Sequence, residues 1–181
     1  LYGSLVGQTR NLYIPSTDNV TLGAWHYLPK AFYDAHVNEL QNTQAEALNA
    51  LFDEALRTYP TYVFLHGNGM NRAASFRVRT CTDIAQELNA NVFAIDYRGY
   101  GDSTGYPTEQ GVVDDAYNAV QYVRERSRSV AADSGPGIAI VGQSLGTGIG
   151  AQTALRMYRE GQRLDALILL AAFKELRPMV T

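Results

Sequence analysis

The stretch Gly142-Gln143-Ser144-Leu145-Gly146 lies between residues 137–141, which read as a buried strand, and residues 147–158, which read as a helix. G-x-S-x-G in that setting demands a turn so tight that a side chain at Gly142 or Gly146 would crowd it. The bend pushes the Ser144 hydroxyl out at one edge of a sheet. The flanking pattern agrees: residues 61–65, 91–96, 138–141 and 166–170 read as strands, and 75–88, 108–126 and 145–159 as helices. Short apolar strands alternating with longer amphipathic helices predict an α/β chain with a mostly parallel sheet covered by helices on both faces.

Upstream, residues 12–14 and 20–28 read as two strands joined at Pro15-Ser16-Thr17-Asp18-Asn19. In the segment 31–59, Leu40, Leu48, Leu51, Phe52, Ala55 and Leu56 recur at helical spacing. It reads as a helical insertion holding an amphipathic helix that packs on the sheet flank; a substrate-covering cap is the alternative. Gly135-Pro136-Gly137 marks a loop, so residues 1–181 read as one partial domain.

Composition narrows the function classes. A net charge of −3 gives no reason to expect nucleic acid or an anionic membrane surface as a partner. Arg124, Arg126 and Arg128 fall late in a helix and read as a solvated face aided by the helix dipole. The single cysteine, Cys81, excludes an internal disulfide and reads as a small buried helix residue. Three widely spaced histidines and one cysteine suggest no metal site. No apolar run approaches the ~18 residues of a membrane span. The start at Leu1, without a signal-peptide pattern, reads as a cut end.

Two further stretches bear on chemistry. His66-Gly67-Asn68-Gly69-Met70 follows the strand 61–65. Acyl transfer builds negative charge on a carbonyl oxygen, so N–H donors must already face that point. Leu145, after the serine, supplies one; Gly67 and Gly69 let the earlier loop come close, and Asn68 supplies the other. His66 reads as a residue that holds this loop, not as a base. Asp96-Tyr97-Arg98-Gly99-Tyr100-Gly101-Asp102-Ser103 reads as a tight loop tied down by Asp96 and Arg98, with no catalytic role assigned to Asp102 or Ser103. Gly146-Thr147-Gly148-Ile149-Gly150 lacks dinucleotide-binding spacing.

With Trp25-His26-Tyr27-Leu28-Pro29, Gly105, Pro107, Gly111, Asp115 and residues 164–169, these motifs resemble the lysophospholipase and monoacylglycerol lipase group of α/β-hydrolase serine hydrolases. The resemblance covers most of the chain. It implies that Ser144 is the nucleophile of a lipid acyl ester hydrolase, with Leu145 and Asn68 as the oxyanion hole. It implies a lipid ester substrate and no cofactor, water being the second substrate. Related palmitoyl-thioesterases share the signatures, which keeps thioester cleavage open. A membrane link would come only through segments not present here, consistent with an endomembrane location of the parent protein.

The departure is at the end. The family order is Ser, acid, His, and no histidine follows Ser144. Asp165 opens a strand and Glu160 closes a helix, both at the wrong end of the sheet; Glu175 lies at the right edge but one strand early. The acid and histidine are therefore expected beyond Thr181, and the chain alone is expected to be inactive. A non-catalytic short form that binds acyl chains is the alternative. The strand 166–170 would also become an unpaired edge, making the isolated chain poorly soluble or molten.

Overall fold

The computed structural model describes residues 5–42, 44–128 and 135–173. In chain order the elements are β1 (Thr9–Pro15), β2 (Thr21–Tyr27), α1 (Lys30–Asn42), α2 (Ala45–Thr58), β3 (Thr61–Leu65), α3 (Ser75–Glu87), β4 (Asn91–Ile95), α4 (Glu109–Ser127), β5 (Ile138–Gln143), α5 (Leu145–Arg159) and β6 (Ala166–Leu170). Among the described residues the strands form one sheet in the order β1-β2-β4-β3-β5-β6. The β1–β2 and β2–β4 pairs are antiparallel, and β4, β3, β5 and β6 run parallel.

Alternation along the strands divides the core. Val63, Leu65, Phe93, Ile95, Ile138 and Ile140 pack with residues of α2, α4 and α5 on one face. Phe64, Val92, Ala94 and Val141 pack with Val78, Cys81 and Ala85 of α3 on the other. Strands buried on both faces have no polar positions to spare, which is why they read as continuous apolar runs. Thr108 caps α4 by accepting from the Gly111 N–H at 3.1 Å, and Glu109 in the first turn complements the helix dipole.

Three differences from the sequence reading exceed one residue. β1 extends over Thr9–Pro15, because polar Arg10 and Asn11 pair with His26 and Trp25 on an edge strand, where apolar alternation is weak. β5 runs on to Gln143, because Gly142 and Gln143 pair with Leu169 and Leu170. The segment 31–59 forms two helices. Leu40 belongs to α1, while Leu48, Leu51, Phe52, Ala55 and Leu56 form the apolar stripe of α2.

These helices do not lie over Ser144. Asn91, the first residue of β4, donates from Nδ2 to the Ala55 and Tyr59 carbonyls at 2.9 and 3.1 Å. This ties the end of α2 to the start of the parallel strands, opposite the end at which β5 delivers Ser144. His26, fully buried between Phe52 and Phe93, meets Asn91 Oδ1 at 2.8 Å. At the far side of the sheet, the residues of β6 pair with β5 and are all exposed.

Candidate active site

Ser144 follows β5 directly and precedes α5, with φ 48° and ψ −114°. A non-glycine residue there carries strain of about 1–3 kcal/mol and persists only where its surroundings fix it. The Ser144 N–H donates to Leu170 O at 2.9 Å, and Thr147 donates to Ser144 O from both N–H and Oγ1, at 2.8 and 2.6 Å. The turn leaves no room at its glycines. A Cβ on Gly142 would lie 2.3 Å from Gly146 O, and one on Gly146 would lie 2.0 Å from Leu65 O. Ser144 itself is exposed. Leu145 opens α5, and the N–H groups of a helix's first turn have no acceptor within the helix.

The loop after β3 comes to the same place. A Cβ on Gly67 would sit 3.2 Å from Ser144 Cβ and 3.3 Å from Gln143 O, so a side chain there would crowd the elbow and push it back by a few tenths of an ångström. Gly69 and Met70 follow in the left-handed region, at φ 67° and 57°. The Asn68 side chain is turned back: its Oδ1 accepts from Gly69 N–H and from Tyr100 OH, each at 2.9 Å. His66 is fully buried. Its Nδ1–H donates to Gly67 O at 2.7 Å, and its Nε2 faces Asp96 Oδ1 at 3.3 Å. Both ring nitrogens are thus directed at the loop and its support, in keeping with a holding role.

Asp96 and Arg98 are structural. Asp96 accepts from Arg72 N–H at 2.7 Å and from Arg72 Nη1 at 2.5 Å. Arg72 also bonds Asp102, whose carboxyl its hydrogen bonds hold below the ordinary carboxylate range. Burial works against the Arg72 cation, but Asp102 and Asp96 outweigh it and keep its pKa above the ordinary value. Ser103 donates from Oγ to Asp96 O at 2.7 Å and accepts from Gly23 N–H at 2.9 Å. Arg98 donates to buried Asp115 from its N–H, Nε and Nη2, and to Asp18 from Nη1.

Two arginines escaped the sequence reading. Arg72 links the glycine loop to Asp96 and Asp102. Arg77, on α3 and only 3% exposed, donates to the carbonyls of Asn71, Gly67 and Gly69 at 3.0, 3.0 and 2.9 Å. The available signal was two arginines directly after a glycine-rich loop, within the stretch that begins α3.

Beside Ser144 a cleft of about 790 Å³ opens between α4 and α5, lined by Leu145, Gly148, Val112, Leu169 and Phe173 among others. Among the described residues, the carboxylates after Ser144 lie away from it. Asp165 accepts from Ile138 N–H at 2.8 Å at the start of β5, and Glu160 bonds Tyr117 and Arg156 at the end of α5. Glu175 lies outside the described residues. His26 is buried against α2, and His36 bonds Phe32 O within α1, so neither faces the serine.

A family model described as the alpha/beta hydrolase fold matches residues 62–180. This chain belongs to the α/β-hydrolase family. The chain is 32% identical over 173 residues to the zebrafish (Danio rerio) protein named lysophosphatidylserine lipase ABHD12, covering 95% of this chain and 41% of that one. It is 32% identical over 170 residues to human protein ABHD12B, covering 93% and 42% respectively. It thus spans about two fifths of the length of these relatives. Among solved structures, brefeldin A esterase, described as a bacterial homologue of human hormone-sensitive lipase, matches with TM-score 0.61 and 22% identity over 88% of this chain and 38% of that one. Bacterial heroin esterase matches with TM-score 0.59 and 23% identity over 93% and 46%. At these identities the structural matches establish the shared fold.

Proposed function

We propose that this chain carries the nucleophile and oxyanion hole of a serine hydrolase that cleaves an acyl ester of a lipid, a lysophospholipid in the first instance. The observation that carries the reading is the exposed Ser144 held at positive φ with the Gly67 loop packed against it. Ser144 Oγ attacks the ester carbonyl as a base takes its proton. The carbonyl oxygen becomes anionic between the Leu145 and Asn68 N–H groups. The intermediate collapses, the protonated alcohol leaves, and water then releases the fatty acid from the acyl-enzyme and returns the proton to Ser144. The lysophospholipid choice draws on the relatives named lysophosphatidylserine lipases, and the apolar lining of the cleft suits an acyl chain.

The reading assigns no base among the described histidines, because His26, His36 and His66 each direct a ring nitrogen at a partner other than Ser144. Losing the base costs on the order of 10⁶ in kcat in serine hydrolases. The test uses the full-length protein with a lysophospholipid and an acyl thioester of equal chain length. Ser144→Ala is expected to lower kcat on the lysophospholipid by about 10⁶. Undiminished turnover by Ser144→Ala would refute the assignment, and preference for the thioester would move the substrate class to acyl thioesters.

A further inference from the structure

Arg77 has no carboxylate partner: among the described residues it forms no ion pair. Yet it is almost fully buried, and burying an unpaired cation is costly. Its hydrogen bonds go to main-chain carbonyls of one loop, at Asn71, Gly67 and Gly69. The bond to Gly67 O matters most. No peptide bond is cis, and in a planar trans peptide the C=O and the following N–H point in opposite directions. Fixing Gly67 O on Arg77 and His66 therefore fixes the Asn68 N–H to face away from both. The Gly67 Cα carries this peptide past the elbow. The point where its Cβ would stand is 3.2 Å from Ser144 Cβ and 3.8 Å from Arg77 Nη2.

We infer that Arg77 is a positioning residue of the oxyanion hole: its guanidinium holds the Gly67–Asn68 peptide with the N–H aimed at the reacting carbonyl. Its positive charge, which Asp96 offsets only from beyond ion-pair distance, also favours the anion that forms there, since screening is weak in a buried site. The inference rests on the proposed roles of Ser144 and Asn68. The bonds to Asn71 and Gly69 carbonyls keep the loop from rotating that peptide. A lysine at this position keeps the charge, but as a compact ammonium on a flexible stem it does not span three carbonyls as a planar fork does.

The experiment compares Arg77→Met, Arg77→Lys and Ser144→Ala in the full-length protein, measuring kcat, KM and the thermal midpoint. Removing one oxyanion donor costs about 10²–10³ in kcat. Arg77→Met is expected to lower kcat by about 10²-fold with KM changed less than about threefold. Arg77→Lys is expected to recover part of that loss. If either variant folds and turns over at the unaltered rate while Ser144→Ala is dead, this inference fails and the serine assignment stands; an active Ser144→Ala sinks the assignment itself. Should neither arginine variant fold, ¹⁵N-arginine spectra of the unaltered protein decide. A phosphonate adduct on the serine is expected to shift the Arg77 side-chain resonances and leave those of Arg98 in place, and unmoved Arg77 resonances would overturn the inference.

Discussion

Arg98 and Asp115 form a buried ion pair whose remaining bonds are almost all satisfied: Asp115 also accepts from the Arg98 N–H and from Ser16 Oγ. The hydrogen bonds that it donates to Asp115 hold the guanidinium's pKa above its ordinary value. Breaking one side of such a pair strands the other charge, at a cost of about 3–5 kcal/mol. Asp115→Asn is accordingly expected to lower the unfolding free energy by about that amount in urea titration; a loss below about 1 kcal/mol would show that the exposed Asp18 compensates. Single residues differed in how far the sequence disclosed them. Gly142, Gly146 and Ser144 were legible because one sharp bend dictates all three locally. Arg77 and Arg72 were not, because their bonds reach main-chain carbonyls and carboxylates that only the tertiary fold assembles. Asn68 was legible as a loop residue, but the capture of its side chain by Tyr100 was not.

The helix pair α1–α2 is joined to the sheet through His26 and Asn91. Asn91 Nδ2 donates to α2 carbonyls, so its Oδ1 accepts from the His26 Nε2–H, which leaves Nδ1 unprotonated and buried without a partner. Burial first, and Arg10 next, push the His26 pKa well below its usual value; the bond to Asn91 opposes them. The sign follows directly. The unfolded chain takes up a proton near pH 6.5, which folded His26 resists. Stability from this site is therefore complete above about pH 6.5 and falls as the pH drops from there towards the folded pKa. Hydrogen exchange should show the amides of α2 losing protection between about pH 7 and 5, after correction for intrinsic rates, relative to those of α4. Equal changes in both helices would contradict this anchoring. At this scale the sequence disclosed strands buried on both sides, such as β3 and β4, almost to the residue. It understated β1, whose outward face is polar, and it merged α1 with α2, because helical spacing alone does not mark the break between them.

Across the whole molecule, the sheet order brings the β3 loop and the β5 elbow side by side, since β3 and β5 are parallel neighbours with Leu65 opposite Gly142. That adjacency joins His66–Met70 to Ser144 although they are far apart in sequence. Fold class was readable from strand–helix alternation, and the residues of the proposed nucleophile and oxyanion loop from two local motifs. No acid or base was readable: among the described residues Asp165, Glu160, His26 and His36 are bonded elsewhere, and His66 near the elbow is bonded to Gly67 O. The most direct test is covalent. The full-length protein is treated with an alkyl fluorophosphonate, and the adduct is mapped by peptide mass spectrometry. One phosphonate per chain, carried on Ser144 and absent from Ser144→Ala, is the predicted result. An adduct on another residue, or no adduct on a protein that still hydrolyses the lipid ester, would contradict the assignment of Ser144 as nucleophile.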